Sequence, residues 1–300
     1  MKRVQVLLSA YNGEKYIAQQ IDSILRQKEV CVFLLVRDDG SVDATAKILA
    51  AYAAAHSNIQ IYMGENIGTQ KSYFDLLLHA DDAMDYYAFS DQDDIWHPYK
   101  LQRAVQMLDM QADIQPLLYA GNVVYASAGM EERKYVSRRL RRQPSFGNAL
   151  VENICIGCTE VFNQHLLTLA RTHPPQCEIL HDWWLYMTAS CFGKVCFDKR
   201  ASILYRQHGQ NQIGMQDTKW KRWKRRIQNV KKLRGMLTRQ ANDFAAAYSD
   251  MQVKHKTLMQ VASYRQDKRK KRELLIKNTV YRQNLTDQCI YKCLFCIGYL

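Results

Sequence analysis

The strongest constraint in this sequence is an acidic cluster that directly follows an apolar segment. Residues 86–90, with the sequence YYAFS, have the aromatic and apolar composition of a buried strand, and Asp91, Asp93 and Asp94 come immediately after them. Carboxylates crowded into one place repel one another and resist ionising together unless a cation joins them. The cluster therefore predicts a site for a hard divalent cation, Mg²⁺ or Mn²⁺, which prefers oxygen ligands and often shares its shell with substrate phosphates.

Strand-like and helix-like segments alternate four times within residues 1–110. Apolar segments begin at Val4, Val32, Ile59 and Tyr86, and each is followed by a segment with helical periodicity or a helix-start signal. This alternation predicts an α/β fold with a mostly parallel central sheet and helices on both of its faces. Ligands of such sheets bind beyond the carboxyl ends of the strands.

The predicted strand ends carry the residues with the most evident chemistry. Ala10 and Tyr11 follow the first strand, Asp38 and Asp39 end the second, and the acidic cluster follows the fourth. The chain has neither a Gly-x-x-x-x-Gly-Lys-Ser/Thr phosphate loop nor a Gly-x-Gly-x-x-Gly fingerprint. This argues against P-loop enzymes and dinucleotide-binding enzymes, whereas a nucleotide diphosphate held through a metal ion fits the pattern.

The net charge of +13 is concentrated in the C-terminal part of the chain. Residues 1–218 contain 21 Lys and Arg against 24 Asp and Glu, whereas residues 219–300 contain 21 against 5. The asymmetry predicts that residues 217–300 form a separate basic helical extension. Binding to nucleic acid is not expected, because the chain contains no recognised reader motif and its first part would oppose that binding.

Residues 219–239 predict an amphipathic helix with one basic face and one apolar, aromatic face. Ten Lys and Arg accompany apolar residues that recur every three or four positions. The apolar positions are Trp220, Trp223, Ile227, Val230, Leu233 and Leu237. Such a helix suits the surface of an anionic membrane, and a second basic cluster at 265–273 favours the same interpretation. The alternative is a helix docked on its own catalytic domain with a solvated basic face.

The cysteines and the N-terminal residues predict a cytoplasmic protein. Nine cysteines, an odd number, are spread along the chain, which is typical of reduced thiols. The apolar stretch after residues 1–3 is too short for a secretory signal, and no stretch reaches the length of about 18 apolar residues that a membrane span needs. Together with the basic extension, these features predict a peripheral protein at the inner face of the plasma membrane.

Several segments, in their order and spacing, resemble the inverting glycosyltransferases of family 2, which have the GT-A fold. Four of them are VLLSAYNGEKYIAQQIDSILRQ, RDDGSVDAT, ENIGTQKSY and AFSDQDDIWHPYKL. Further on, GCTEVFN, HDWW and YRQHG resemble later blocks of the subgroup described as rhamnosyltransferases, as does the SDQDDIW form of the acidic cluster. The resemblance covers about residues 4–214 and none of the basic extension.

The resemblance implies a domain organisation and an activity. Residues 1–216 would form the glycosyltransferase domain, with a nucleotide-binding half at 1–110 and an acceptor half at 111–216. Such enzymes move a sugar from a nucleotide diphosphate donor to an acceptor hydroxyl with inversion. The subgroup implies L-rhamnose from dTDP-rhamnose and a glycan or lipid-linked glycan acceptor in bacterial surface polysaccharide synthesis. A UDP-hexose or UDP-N-acetylhexosamine donor is the alternative within the same fold.

The resemblance also implies which residues would hold the nucleotide base. Ala10, Tyr11 and Asp39 would line the pyrimidine, with Asp39 accepting a hydrogen bond from the ring imide. Asp38 is the alternative for that bond, one position earlier. Without the resemblance, Asp39 in Asp-Gly-Ser is an ordinary turn residue, and Tyr11 is a packed aromatic residue.

The same resemblance assigns the diphosphate and its metal. Asp93 would bind the metal, and Asp91 would bind the ribose, the metal or a metal-bound water, while Asp94 supports the loop or caps the next helix. His208 would complete the metal shell or touch the diphosphate. The two cations expected near the phosphates are Arg206, through its forked donors, and Lys71, for which a solvated surface position is the alternative.

On the acceptor side, the resemblance assigns Asp182 in HDWW as the catalytic base. It would take the proton of the acceptor hydroxyl while that oxygen attacks C1 of the sugar. Trp183 and Trp184 would form an apolar wall against a sugar ring. The alternatives are an N-cap role for Asp182 and core packing for the two tryptophans.

Two other functions are compatible with parts of the sequence. A nucleotidyltransferase would need a glycine-rich phosphate loop near the first strand, and SAYNGEKY does not provide one. A non-catalytic protein that binds the membrane surface would need neither Asp93 nor Asp182. The sequence therefore favours a metal-dependent glycosyltransferase.

Overall fold

The computed structural model describes residues 1–112, 114–130, 133–136, 140–208, 234–249, 255–263, 266–277 and 279–300. The chain divides into two compact units. The first unit comprises residues 1–139, 155–172 and 180–207, and the second comprises residues 140–154, 173–179 and 208–300. The predicted domain boundary at 216/217 lies outside the described residues.

The first unit is built around a single sheet, in which the described residues form nine strands. In chain order, the strands are β1 Arg3–Ala10, β2 Cys31–Asp38, β3 Ile59–Met63, β4 Tyr86–Ser90, β5 Ile95–Trp96, β6 Leu117–Ala126, β7 Arg133–Val136, β8 Val161–Asn163 and β9 Lys194–Arg206. Their spatial order is β3-β2-β1-β4-β8-β6-β9-β5, with β7 paired to β6.

Most of these strands run in one direction, as the sequence predicts. Strands β3, β2, β1 and β4 pair in parallel, and β6 and β9 pair in parallel beyond β8. The antiparallel members are the short strands β5, β7 and β8. The predicted mostly parallel sheet is thus confirmed, and β9 is a strand of 13 residues.

The register of the parallel strands brings the predicted strand ends together. Ala10 of β1 pairs with Asp38 of β2, and Leu8 of β1 pairs with Ser90 of β4. Because parallel strands end at the same edge of a sheet, the segments that follow β1, β2 and β4 emerge side by side. The candidate residues therefore share one edge of the sheet.

Helices of the first unit cover both faces of the sheet. They are α1 Ile17–Leu25, α2 Thr45–Ala55, α3 Thr69–His79, α4 Lys100–Asp109, α6 Gln164–Thr172 and α7 His181–Phe192, with a 3₁₀ turn at Gly157–Thr159. Alternate residues of β1, such as Val6 and Leu8, are buried in a core with Ile21 of α1 and Leu101 of α4. On the opposite face, the ring of Phe89 of β4 packs edge to face against the ring of Tyr73 of α3. A fully buried aliphatic side chain stabilises such a core by about 1.5–3 kcal/mol.

The regular secondary structure described in the second unit consists of helices. It contains the short helix α5 at Phe146–Ala149 and four helices of the C-terminal part, Met236–Ala247, His255–Ser263, Lys268–Lys277 and Leu285–Cys296. The predicted C-terminal helical extension is therefore confirmed for these segments. Most of the amphipathic helix predicted at 219–239 lies outside the described residues, which resume at 234.

None of the helices in the described part of the chain has both the length and the apolar composition that crossing a membrane would require.

Candidate active site

The acidic cluster forms a short loop between β4 and β5. Asp91 and Asp93 are partly exposed there, whereas Asp94 is fully buried. The loop is held at its far end because β5 pairs with β9. At the end of β9, the backbone N–H of Arg206 donates to Asp94 Oδ1 over 3.2 Å. The cluster is therefore fixed at the carboxyl edge of the sheet by a strand that lies far away in sequence.

Arg206 holds this loop through its side chain as well. Its Nε donates to the carbonyl oxygen of Asp93 over 2.7 Å, its Nη2 donates to Gln19 Oε1 over 2.7 Å, and its Nη1 donates to the carbonyl oxygen of Ala128. Its guanidinium carbon lies 4.3 Å from the centroid of the Tyr16 ring. The prediction that Arg206 binds phosphate is corrected, because each guanidinium nitrogen already donates to a protein oxygen and the side chain is buried.

Asp91 is bound to Tyr73, a residue of α3 that sequence reasoning did not single out. The Tyr73 hydroxyl lies 2.9 Å from Asp91 Oδ1 and 2.8 Å from the carbonyl oxygen of Ser90. Burial, followed by the charge of Asp93, raises the pKa of Asp91 to about 7, and Asp182 acts in the same direction. Asp91 and Asp182 therefore lie close enough for their charges to interact, although they belong to different elements.

A buried amine and a buried thiol lie next to the acidic loop. The Nζ of Lys100 is 3.5 Å from the centroid of the Trp96 ring, and it has no hydrogen-bond partner within the described ranges. Burial lowers the pKa of Lys100 to about 7, although Cys158 and Asp94 oppose this change. Burial also raises the pKa of Cys158, and Asp94 adds to that effect. Lys100 gave no signal in the sequence, and the only signal at Cys158 was its zinc-like spacing from Cys155, which no second Cys or His pair accompanies.

The residues present at the loop fit a divalent cation. Asp91, Asp94 and Cys158 each offer one ligand atom, and these atoms all lie within 4.8 Å of one another. The Oδ2 atom of Asp94 is buried and has no hydrogen-bond partner in the described part of the chain. Carboxylate oxygens with spare acceptor capacity are the ligands that Mg²⁺ and Mn²⁺ prefer. His208 is partly exposed and belongs to the second unit, so its place in the metal shell stays a prediction.

Asp38 and Asp39 lie at the end of β2 and are both buried. Asp39 accepts hydrogen bonds from the N–H groups of Ile67 and Gly68, each over 3.0 Å, and is paired with Arg37. Asp38 Oδ1 accepts from Ser41, whereas Asp38 Oδ2 has no partner among the residues that the structure describes. Since a carboxylate oxygen can accept two hydrogen bonds, both residues keep capacity for a ligand N–H.

The end of β1 is tied to the acidic loop by Gln92. The Tyr11 N–H donates to Gln92 Oε1 over 2.8 Å, and Gln92 Nε2 donates to the Tyr11 carbonyl oxygen over 3.0 Å. Ala10 is buried and its carbonyl oxygen accepts from the Asp39 N–H over 2.7 Å, whereas the Tyr11 residue is 45% exposed. Tyr11 is therefore presented at the edge of the sheet.

Lys71 is exposed in the first turn of α3, which agrees with the surface alternative.

Asp182 lies in the first turn of α7 and faces the 3₁₀ turn. Its Oδ2 accepts from the Gly157 N–H over 3.2 Å, and its Oδ1 accepts from the Trp183 N–H over 2.7 Å. The N-cap residue of this helix is Leu180, so the N-cap alternative for Asp182 does not apply. The electrostatic effect of Asp182 on Asp91 indicates that the two carboxylates share one region of the first unit.

The two tryptophans after Asp182 differ in their surroundings. Trp183 is partly exposed, whereas Trp184 is 0% exposed. The expectation that both form a wall against an acceptor sugar is corrected for Trp184, because a fully buried side chain packs in the core and cannot contact a ligand. Trp183 keeps the predicted role as a proposal.

Two more buried groups lie beside Asp182, and sequence reasoning missed them. Glu160 is fully buried, and neither of its carboxyl oxygens has a hydrogen-bond partner among the described residues. Burial, followed by the charge of Asp182, raises the pKa of Glu160 far above its usual range. His181 is 8% exposed, and burial lowers its pKa to about 3. Burial therefore favours the neutral form of both groups, which a sequence pattern cannot reveal.

Comparison with known proteins identifies the family. The model of the family described as "Glycosyl transferase family 2" matches residues 5–167. The chain belongs to this family. One curated relative of this glycosyltransferase is the dTDP-rhamnosyl transferase RfbG of Shigella flexneri, which is 31% identical over 219 residues. That match covers 69% of this chain and 73% of the relative.

Solved structures of glycosyltransferases share the fold of this family 2 member. TarS 1-349 from S. aureus in complex with UDP-GlcNAc has a TM-score of 0.61 at 16% identity, over 88% of this chain and 71% of that one. The mannosyltransferase PcManGT from Pyrobaculum calidifontis in complex with GDP-Man and Mn²⁺ has a TM-score of 0.55 at 17% identity, over 88% and 70%. These likenesses establish the GT-A fold.

Proposed function

We propose that this family 2 glycosyltransferase transfers L-rhamnose from dTDP-rhamnose to a hydroxyl of a glycan or lipid-linked glycan, with inversion, in the synthesis of a bacterial surface polysaccharide. The observation that carries the proposal is a contact between the two sides: the Tyr73 hydroxyl lies 2.9 Å from Asp91 Oδ1, and the Tyr73 ring stacks on His181, the residue before Asp182, with centroids 3.9 Å apart. One carboxylate lies on the loop that fits a cation, and the other lies where an acceptor could approach. This arrangement supports a donor site and a base within one unit.

On the donor side, the buried Asp38 and Asp39 and the exposed Tyr11 would hold the pyrimidine. The loop carboxylates Asp91, Asp93 and Asp94 would hold Mg²⁺ or Mn²⁺ against the diphosphate. A bound metal would stabilise the negative charge that develops on the departing diphosphate, as a Lewis acid.

On the acceptor side, Asp182 would accept the proton of the acceptor hydroxyl. As the acceptor oxygen forms its bond to C1, the bond between C1 and the phosphate oxygen breaks, and the nucleoside diphosphate leaves with the electron pair. Attack from the face opposite the leaving group inverts the configuration at C1. A positioned general base of this kind contributes about 10²–10⁴-fold to the rate.

The choice of donor rests on the relative from Shigella flexneri, which is described as a dTDP-rhamnosyl transferase. The alternative is a UDP-hexose or UDP-N-acetylhexosamine, and the fold neighbour solved with UDP-GlcNAc keeps that alternative open.

A panel of nucleotide sugars tests the proposal. The protein is mixed with Mn²⁺ and with dTDP-L-rhamnose, UDP-glucose or UDP-N-acetylglucosamine, and both the midpoint of thermal unfolding and the release of nucleoside diphosphate are measured. A ligand at 100 times its dissociation constant stabilises the folded state by about 2.7 kcal/mol. We expect dTDP-L-rhamnose to give the largest shift and the fastest release, and EDTA to abolish both. The absence of any shift with all three donors would overturn the proposal.

We also propose that the second unit contacts an anionic membrane, where a lipid-linked acceptor would be found. The helix Leu285–Cys296 exposes an apolar stripe at intervals of three to four residues, formed by Leu285, Cys289, Cys293, Cys296 and the following Ile297. The basic helix Lys268–Lys277 touches the end of this helix, where Lys271 Nζ donates to the Cys296 carbonyl oxygen. Exposed apolar side chains beside cationic ones fit anionic lipid better than a second, equally basic copy of the chain.

Flotation with lipid vesicles tests this contact. Vesicles that contain phosphatidylglycerol should bind the protein at low salt, and binding should weaken as salt screens the charges. The double substitution Leu285→Ser with Ile297→Ser should reduce binding, whereas Leu78→Ser, at an exposed leucine of the first unit, should not. Equal flotation of all variants, or none by the unaltered protein, would contradict the membrane contact.

A further inference from the structure

Two aromatic rings connect the donor and acceptor sides of the candidate site. We infer that Tyr73 and His181 form a positioning pair that fixes the separation between Asp91 and Asp182. The inference rests on the proposed function, because it assumes that Asp91 serves the donor and Asp182 serves the acceptor. It adds a role for two residues that act through these carboxylates without touching the reacting atoms.

Tyr73 anchors the donor end of the pair. It is 1% exposed within α3, and its hydroxyl lies 2.9 Å from Asp91 Oδ1 and 2.8 Å from the Ser90 carbonyl oxygen. The hydroxyl therefore contacts both the last residue of β4 and the first carboxylate of the loop. Its ring meets the Phe89 ring edge to face, with centroids 5.2 Å apart, which fixes the ring against the sheet.

His181 anchors the acceptor end, because it directly precedes Asp182. Its ring stacks on Tyr73 with centroids 3.9 Å apart and an interplanar angle of 23°. The same ring meets Phe89 at 87°, with centroids 4.8 Å apart. Neither ring nitrogen has a hydrogen-bond partner among the residues that the structure describes. The packing of the ring, more than any polar contact, therefore determines where α7 begins.

Gly157 also lies close to the His181 ring. A Cβ atom at Gly157 would lie 2.9 Å from His181 Nε2, which is closer than side-chain carbons come to other atoms. The N–H of the same glycine donates to Asp182 Oδ2 over 3.2 Å. His181 thus packs against both Tyr73 and Gly157, and Asp182 accepts a hydrogen bond from the N–H of Gly157.

The chain of contacts runs from Asp91 through Tyr73, His181 and Gly157 to Asp182. A neutral ring suits this place, because a charged one would form an ion pair with the carboxylates and reduce their charge towards metal and acceptor. Displacement of a reacting group by about 1 Å can lower a rate by about 10²-fold. The pair therefore acts on the rate of transfer more than on the affinity for the donor.

Four variants test the inference: Tyr73→Phe, His181→Ala, His181→Phe and the matched control Tyr87→Phe. Tyr87 lies on the same strand as Phe89, stacks on Phe162 with centroids 5.7 Å apart, and places its hydroxyl 2.7 Å from the Asp81 carbonyl oxygen. It resembles Tyr73 in burial and bonding, but it does not contact the site carboxylates. The release of dTDP from dTDP-L-rhamnose with Mn²⁺ gives kcat and KM, and thermal unfolding gives stability.

We expect His181→Ala to lower kcat by about 10–100-fold, with the KM for dTDP-L-rhamnose changing less than about threefold. His181→Phe should recover most of the lost kcat, because it restores a flat ring. Tyr73→Phe should raise the Mn²⁺ concentration needed for half-maximal rate, because Asp91 loses its anchor. Tyr87→Phe should lower the unfolding midpoint with kcat unchanged.

Three results would overturn the inference. One is a kcat in His181→Ala that stays within twofold of the unaltered protein while stability falls, as in Tyr87→Phe. Another is a His181→Phe variant as slow as His181→Ala, which would show that a ring nitrogen is required. The third is an unchanged Mn²⁺ requirement in Tyr73→Phe, which is decisive if His181→Ala fails to fold. Full activity of Asp182→Asn would instead overturn the proposed function, whatever the pair does.

Discussion

The donor side and the acceptor side of the first unit are built in opposite ways. On the donor side, polar groups at neighbouring strand ends bind one another directly, as Asp39 binds Gly68 and Gln92 binds the Tyr11 backbone. On the acceptor side, Asp182 is surrounded by buried groups such as Glu160 and His181, whose polar atoms have no partners within the described ranges. One side is ordered by hydrogen bonds and the other by packing and burial.

Because of this difference, substitutions on the donor side and on the acceptor side should have different effects. Donor residues form a preorganised network, so that removal of one member should affect binding of metal and nucleotide. Acceptor residues depend on the position of α7, so that changes there should affect the rate while nucleotide binding persists. Four experiments test this difference between the two sides.

The largest effects are expected for Asp93→Asn and Asp182→Asn. Each should lower sugar transfer by about 10³-fold or more, because Asp93 is the proposed metal ligand and Asp182 is the proposed base. Only Asp93→Asn should also lose the thermal stabilisation that dTDP gives with Mn²⁺. Loss of that stabilisation in Asp182→Asn would show that Asp182 acts on the donor side and would contradict the expected difference between the two sides.

The next effect is on stability, at the tryptophans of α7. Replacing the fully buried Trp184 with Ala should cost about 3–5 kcal/mol in the free energy of unfolding, because it leaves a large cavity. Trp183→Ala, at the partly exposed neighbour, should cost far less and should raise the KM for the acceptor. Urea unfolding and transfer kinetics measure these quantities. Equal stability losses would show that both rings belong to the core.

Arg206→Leu should destabilise the protein by about 2–4 kcal/mol, because it removes donors from the buried carbonyl groups of Asp93 and Ala128. The acidic loop should then bind Mn²⁺ more weakly. Arg26→Leu is the matched control, since the Arg26 side chain is 70% exposed and, among the residues that the structure describes, forms its ion pair with Asp22 one helical turn away. An Arg206→Leu variant with unaltered Mn²⁺ binding would show that β5 alone holds the loop.

The last effect, expected for Glu160→Gln, is small at acid pH and grows as the pH rises. The folded-state pKa of Glu160 is raised above its unfolded value, so the stability this group contributes is present at low pH and is lost as pH rises towards the folded pKa. The loss has a slope of up to about 1.4 kcal/mol per pH unit. Glu160→Gln lacks this titration, so its stability relative to the unaltered protein should increase from pH 4 to pH 8. A difference independent of pH would mean that Glu160 is ionised in the folded state.

The strands, helices and polar strand ends that the sequence predicted depend on residues that are close together in the chain. Apolar segments placed β1, β2 and β4, and the polar residues after them, Asp38 and Asp91, lie at one edge because parallel strands end together. The helix at residues 181–192 and its acidic first turn were also predictable from local pattern. These features require no knowledge of which distant residue is their partner.

The sequence could not predict which side chains are buried or which distant residues are partners. Arg206 looks like a phosphate ligand beside His208, yet its partners lie on three other segments of the chain. Trp183 and Trp184 are identical in type and adjacent, and only the packing of α7 separates their roles. Tyr73 and His181 are more than one hundred positions apart, so their stacking has no signature in either segment.

The bond from the Arg206 backbone to Asp94 has a consequence for the order of synthesis. It joins residues that are 112 positions apart. A nascent chain that leaves the ribosome carries the acidic loop long before the strand that secures it, and non-local contacts of this kind form late because the intervening chain must first be ordered. The acidic loop is therefore secured only when translation has passed the end of β9, so an incomplete chain would lack the complete candidate site.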